Sequence, residues 1–236
     1  MTSLSELRFF TTPEHECSYL QGKQALTLFA DPLALIDTEL YSSLSRAGFR
    51  RSGVHIYRPY CQTCSACVPI RIPVAKFKPH RRHKRVWKLN RDMVVDCIPP
   101  SVTQEYYTLY ERYINARHAD GDMYPPDKTQ FESFLVEGRP ETKFFEFREH
   151  GKLIAVTVAD RILDGHSAIY TFFDPDHSDQ SPGVFAILWL IEETTRLTLD
   201  YLYLGYWIKQ CRKMSYKVEY KPFELYINNH WISVTR

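Results

Sequence analysis

The sequence predicts an α+β fold in two unequal parts, and three observations carry this. The second half runs three strand patterns in succession, then one long amphipathic helix, then a further strand. The first hundred residues mix shorter helix and strand patterns around a cysteine-rich loop. Apolar residues make up 44% of the 236, which suffices for a packed core in one large domain or two small ones joined closely.

Composition excludes several classes. No run approaches the ~20 apolar residues of a membrane span. The start MTSLSELRFFTTPEHEC lacks the charged opening and apolar block of a signal peptide. Six cysteines in a chain of this size suit reduced thiols or a metal site better than a disulfide scaffold. A soluble cytoplasmic protein with no membrane partner is expected.

In chain order, residues 1–16 read as a polar lead-in and 23–30 as a short strand. Asp31-Pro32 predicts a helix start, with Leu33, Ile36, Leu40 and Leu44 on one face and Gly48 as its stop. Strands are expected at 54–58 and 70–74, with three cysteines between them, and a basic helix at 80–92. A break at 97–100 places a boundary near residue 100, dividing the chain into 1–100 and 101–236. Beyond it, helices are expected at 102–116 and 128–136, flanking a loop rich in turn formers. Strand patterns follow at 142–149, 152–160 and 166–173, the last two joined by a tight Asp164-Gly165 turn. Ser181-Pro182 opens the long helix, which runs to about Thr198. Further strands are expected at 201–206, 217–220 and 224–227.

Two stretches stand apart from plain core. Tyr201–Pro222 alternates like a buried strand, breaks at Gly205, and then interleaves Lys209, Arg212, Lys213, Lys217 and Lys221 with Tyr206, Trp207, Tyr216 and Tyr220. Cations mixed with flat rings suit single-stranded nucleic acid, where charges meet phosphates and rings stack on bases. A solvated turn between core strands is the competing reading. Residues 76–91 hold eight Lys or Arg and no acid, and removing those eight from the net +2 leaves −6 for the rest. A mildly acidic protein with one basic strip implies a polyanionic partner, nucleic acid first.

The order of elements suits the mixed sheet with flanking helices of N-acetyltransferase-like (GNAT-type) folds, with a smaller N-terminal α/β subdomain carrying the Cys-rich loop. In that architecture a strand, a helix and the next strand splay open around an activated acyl donor. A phosphate-cradling loop would be glycine-rich, whereas this chain has Asp179-Gln180-Ser181-Pro182-Gly183 before the long helix. That argues against acetyl-CoA, and the basic strip points to a donor esterified to RNA.

Several collinear blocks then resemble the arginyl- and leucyl-tRNA–protein transferases of the N-degron pathway. They are Phe49–Gly53, Tyr57–Cys61, Tyr110–Tyr113 with Ala116-Arg117-His118, Tyr170–Pro175, and Tyr203–Ile208 with Cys211, Lys213-Met214 and Tyr216-Lys217. The short chain and Pro69-Ile70-Arg71-Ile72 are similar to the bacterial branch, which moves leucine to N-terminal Asp or Glu. The resemblance implies charged leucyl-tRNA as co-substrate, acidic protein N-termini as acceptors, and no obligatory cofactor.

That reaction needs a positioned amine, a general base and an oxyanion donor. Asp174 is the first candidate for the base, with Tyr170 and Tyr206 as hydrogen-bond donors or stacking surfaces. Ordinary turn capping and strand packing compete for all three. The acceptor carboxylate calls for Arg or Lys. The candidates are Arg50, Arg51, Arg112, Arg117, Lys213 and Lys217, with Arg51 and Lys217 first. Lys78, Arg81, Arg82, Lys84, Arg85 and Lys88 would track tRNA phosphates. Cys61, Cys64 and Cys67 with Cys17 leave zinc or an iron–sulfur cluster open. The pattern departs from the related eukaryotic enzymes, since Cys17 has no partner three residues on. Arginyl transfer, a non-catalytic RNA-binding module and an acyl-CoA acetyltransferase are the rivals.

Overall fold

The computed structural model describes residues 4–235. Its elements are β1 (Phe9–Thr11), β2 (His15–Glu16), β3 (Gln24–Ala25), β4 (Thr27–Ala30), α1 (Thr38–Arg46), β5 (Arg50–Ser52), β6 (His55–Pro59), β7 (Val68–Pro73), α2 (Arg81–Leu89), β8 (Val94–Ile98), α3 (Gln104–Arg117), α4 (Lys128–Phe131), β9 (Thr142–Glu149), β10 (Lys152–Ile162), β11 (Gly165–Phe173), α5 (Pro182–Arg196), β12 (Tyr201–Trp207), β13 (Phe223–Ile227) and β14 (His230–Val234). The mixed α+β class expected from the sequence is what the chain adopts.

One eight-stranded sheet, in the order β14-β13-β7-β12-β11-β10-β9-β8, organises the molecule. It draws β7 and β8 from the first hundred residues into a sheet otherwise made by the second half. Alternation along the strands gives each face its own core. Phe145, Phe147, Leu202 and Leu204 pack with α5 and Val86 of α2. Phe144, Val156 and Phe172, on the opposite face, pack with Tyr106, Tyr110 and Ile114 of α3 and Phe131 of α4. A four-stranded antiparallel sheet, β1-β4-β6-β5, and α1 form a third cluster around Tyr41, Leu44 and Ile56, which takes in Tyr203. No helix among the described residues is long and apolar enough to cross a membrane.

The neighbours β11 and β12 create the opening that matters. They are parallel, and they pair only at Gly165↔Tyr201, His166↔Leu202 and Ser167↔Tyr203. Beyond that point each strand carries an irregularity. The β10–β11 register shifts opposite Ala168–Tyr170, and the β12–β7 register shifts between Tyr203 and Tyr206. Bulges of this kind bend strands and re-aim side chains. Here they spread β11 away from β12 and leave the facing backbone groups for side chains to satisfy.

Four local expectations are corrected. The first helix begins at Thr38 with Asp37 as its cap, accepting from Leu40 N at 2.9 Å. Asp31 is instead held by Arg8 at 2.8 Å and accepts from Leu33 N. Residues 94–98 pair with β9 rather than breaking the chain. Residues 212–219 form a 3₁₀ helix, not a strand. Ser181 precedes α5 in a left-handed conformation and gives no side-chain cap.

Candidate functional site

Strand β5 lies in the small sheet, and its consecutive arginines point opposite ways. Arg50 reaches between the splayed strands. Its guanidinium donates to Ser167 Oγ at 3.0 Å and to the Ala168 carbonyl at 2.5 Å, both on β11. On the β12 side it lies against Gly205, whose φ is +78°. A Cβ there would sit 2.9 Å from Arg50 Nε, so the glycine both permits the turn and leaves room for the arginine.

Lys217 enters from the 3₁₀ segment and donates to the Tyr206 carbonyl at 2.6 Å, satisfying the matching backbone group on β12. It is 8% exposed. Burial, then the charge of Arg50, pushes its ammonium down to about 7. Tyr57 and Tyr206 lie beside this pair, with phenols pushed upward by burial, and the exposed Tyr216 ring centre is 5.9 Å from the Lys217 ammonium. Among the described residues no carboxylate lies within 4.0 Å of Arg50, Arg58, Arg117 or Lys217. A buried ammonium without an acid is costly to keep, so Lys217, buried, and Arg50, part-buried, stand together in this cleft with no acid to offset them.

The other predicted cations are committed elsewhere. Arg51 is fully buried, and all five of its N–H groups are used. Nε and Nη2 reach Asp160 at 2.6 and 2.8 Å, Nη2 also donates to Thr142 Oγ1, and Nη1 donates to the Gly53 and Phe134 carbonyls. It has no donor left for a bound carboxylate. Arg112 bridges Asp174 and Asp176, each at 2.8 Å. Lys213 pairs with Asp120 at 2.7 Å on the surface, tying the loop after α3 to the 3₁₀ segment. Arg117 is exposed, with its guanidinium 5.9 Å from the Phe173 ring centre.

The three predicted catalytic groups separate in the same way. Asp174 is fully buried at the end of β11. Arg112 lies 2.8 Å from one oxygen, and Lys152 and His177 lie 2.9 and 3.2 Å from the other. Burial raises its pKa, but the Lys152 ammonium, the Asp176 N–H and Arg112 outweigh this and hold it below the ordinary range. It is a poor base and a good anchor. The Tyr206 hydroxyl is spent on the Gly48 carbonyl at 2.9 Å, with the Tyr57 carbonyl at 3.3 Å. Tyr170 differs, because its hydroxyl is buried without a partner. Its ring is walled by Tyr113 and Phe134, at centroid distances of 6.3 and 5.6 Å.

The basic strip becomes α2. Lys78, Arg81, Arg82, Lys84, Arg85 and Lys88 are all exposed, while His83 and Val86 turn inward. Arg82 alone among them is paired, to Glu219 at 2.6 Å. At its far end Asn90 donates to the Gln180 carbonyl at 2.9 Å, which sets the end of α2 beside the start of α5.

The cysteines gather without closing a site. Cys67 is pushed up to about 12 by burial and by Cys17, Cys61, Cys64 and Cys211 around it. Among the described residues the one group of three or more His, Cys, Asp or Glu whose ligand atoms lie within 4.8 Å of one another is His80, His83 and Glu219, so no three sulfurs approach that closely. A tetrahedral thiolate site with Zn–S near 2.3 Å needs sulfurs roughly 3.8 Å apart. The thiols as arranged do not fit that metal. In the histidine group, Glu219 is held by Arg82 and His80 caps α2. Tyr57, Ser167 and Cys211 also reach the neighbourhood of the cleft. Ser167 sits mid-strand with no pattern of its own to mark it.

Residues 15–85 match the family model "Arginine-tRNA-protein transferase, N terminus", and residues 105–227 match its C-terminal counterpart. The chain belongs to the arginine-tRNA-protein transferase family. Within it, the chain is 55% identical over 235 residues to the aspartate/glutamate leucyltransferase of Pseudomonas aeruginosa strain LESB58, covering 100% of both. It is 56% identical over 231 residues to the enzyme of that name from Alcanivorax borkumensis, covering 98% of this chain and 96% of the other. Among solved structures, L-PGS from Bacillus licheniformis superposes with a TM-score of 0.44 at 11% identity, covering 86% of this chain and 69% of that one.

Proposed function

We propose that this chain transfers leucine from leucyl-tRNA to the α-amine of polypeptides that begin with Asp or Glu. The observation that carries the reading is the pair Arg50 and Lys217, one part-buried and one buried, set between the splayed strands with no acid of their own. An N-terminal Asp or Glu supplies the missing carboxylate and places its α-amine in the same cleft. Apolar and aromatic side chains around Tyr170 suit a leucyl group better than a cationic one.

In this reading the opening between β11 and β12 does what the splayed strands of an N-acetyltransferase-like (GNAT-type) fold do, holding an activated acyl group edge-on to the sheet. The donor ester is already activated, so no covalent enzyme intermediate is required. The neutral amine attacks the ester carbonyl, an N–C bond forms, the bond to the terminal ribose oxygen breaks, and the amine proton ends on that oxygen. A free α-amine titrates near 7.7–8.0, so a strong base is not needed at neutral pH. The unpartnered Tyr170 hydroxyl would donate to the developing oxyanion. Asp174 and Arg112 fix the end of β11 rather than touching substrate.

The exposed cations of α2 would follow the acceptor-stem phosphates, and the end of α2 beside α5 leads the 3′ end toward the cleft. Reversing Arg81, Arg85 and Lys88 to Glu should therefore weaken tRNA use and flatten its salt dependence, by roughly 0.9 in log–log slope per lost phosphate contact. An unchanged slope would remove α2 from the tRNA path.

The function itself is tested by offering charged Leu-tRNA and Arg-tRNA together with peptides beginning in Asp, Glu, Lys or Ala. Leucine should appear on the Asp and Glu peptides only. Arginine on the same peptides would keep the site but change the donor. Binding of tRNA without transfer to any peptide would sink the proposal.

A further inference from the structure

A second opening adjoins Tyr206. A cavity of about 210 Å³ is bordered by Gly48, Arg58, Tyr60, Tyr206, Asn228 and Asn229, and none of its lining residues carries a carboxylate. Arg58 is its one charged lining residue. The Nε of Arg58 is buried and has no hydrogen-bond partner. Its guanidinium carbon stands 5.0 Å from the Phe49 ring centre, which holds the side chain at the cavity it lines. Nε itself is shut off from the cavity, so a bound carboxylate would be met by the outer nitrogens of the fork that lines it.

The cavity and the cleft share one residue. Tyr206 gives its ring to the cavity wall and its backbone carbonyl to Lys217. An extended chain advances ~3.3–3.6 Å per residue. With Tyr206 common to both, the residues that follow one held at Arg50 and Lys217 run toward the neighbouring cavity. We infer that the Arg58 cavity is a subsite for a second carboxylate, at position two or three of the acceptor, so that the enzyme favours acceptors that are acidic beyond their first residue. The inference rests on the proposed transfer reaction and adds a second determinant of specificity to it.

The test compares peptides that share an N-terminal Asp and carry Asp, Ala or Lys at positions two and three, at about 0.15 M salt to screen long-range charge. In the unmodified protein, kcat/KM should be roughly tenfold higher for the acidic peptides than for the lysine ones. Arg58→Gln should bring that ratio close to one. Asn229→Asp, an exposed turn position with φ +62° that tolerates the change, should lower it as well by adding an acid to the lining of the same cavity. Each ratio is taken within one protein, so partial misfolding cancels. A flat ratio in the unmodified protein, or one that survives Arg58→Gln, would overturn the subsite. Failure to transfer to any Asp peptide would overturn the parent reading instead.

Discussion

Replacing Lys217 with Met is expected to lower kcat/KM for peptides beginning in Asp or Glu by roughly ten- to a hundredfold, mainly through KM, while the melting temperature stays close to that of the unmodified protein. The two halves of this result have different causes. A charge-assisted hydrogen bond to the acceptor carboxylate is lost, and Arg50 is left to hold that group alone. Stability changes little because opposing terms meet. Removing a buried ammonium with no acidic partner relieves a desolvation penalty, whereas the Tyr206 carbonyl loses the donor that reaches it at 2.6 Å. The methionine keeps the apolar stem and fills the space.

The pH dependence separates this residue further. Lys217 is held near 7 in the folded chain against an ordinary 10.5. Between those values the unfolded chain binds the extra proton, so this site's contribution to stability rises with pH across that window. Acceptor binding runs the other way. The ammonium is present below about 7 and lost above it, so KM for acidic peptides should climb as pH rises through 7. The Met variant should lack both trends. A variant that keeps the unmodified protein's KM for acidic peptides would take Lys217 out of the cleft.

How much of this site was readable beforehand depends on the residue. Gly205 and the strand before it were legible, because alternation that stops at a glycine marks a strand and the point where it is interrupted. Lys217 was legible as a candidate from its block, though its 3₁₀ segment reads as a strand from Lys-Tyr alternation alone. The choice between Arg50 and Arg51 was not legible. Adjacent residues of a strand point to opposite faces, and only the pairing of β5 with β6 decides which arginine meets Asp160 and which meets β11. Asp174 misled for a related reason. A carboxylate at a strand end before proline carries the same signature whether it is free or ringed by Arg112, Lys152 and His177, and those partners come from elsewhere in the sequence. The N-terminal helix shows the same limit, since both Asp31 and Asp37 suit a cap and the tie to Arg8 selects between them.

Asp160→Ala should have the largest effect on stability, about 3–5 kcal/mol, or roughly 6–20 °C in melting temperature for a chain of this size. Its carboxylate collects Arg51 at 2.6 and 2.8 Å, the Tyr41 hydroxyl at 2.5 Å and Thr142 Oγ1 at 2.8 Å, and it is fully buried. Those partners come from β5, α1 and β9, so one acid on β10 locks the small sheet and α1 onto the large sheet. Removing it strands a buried guanidinium, whereas removing both charges does not. The double variant Arg51→Met with Asp160→Leu should therefore be less destabilised than Asp160→Ala, as urea melts in a double-mutant cycle would measure. The lock also has a functional consequence, because Arg51 anchors the strand that aims Arg50 into the cleft. Partial release of β5 should raise the acceptor KM of Asp160→Ala at temperatures where the protein is still folded. The double variant should show the same KM defect with recovered stability, since β5 would then be packed but no longer pinned at that angle. A single variant within about 1 kcal/mol of the unmodified protein, with unchanged KM, would show that the small sheet is held by its apolar contacts and that Arg50 finds the splayed strands without this lock.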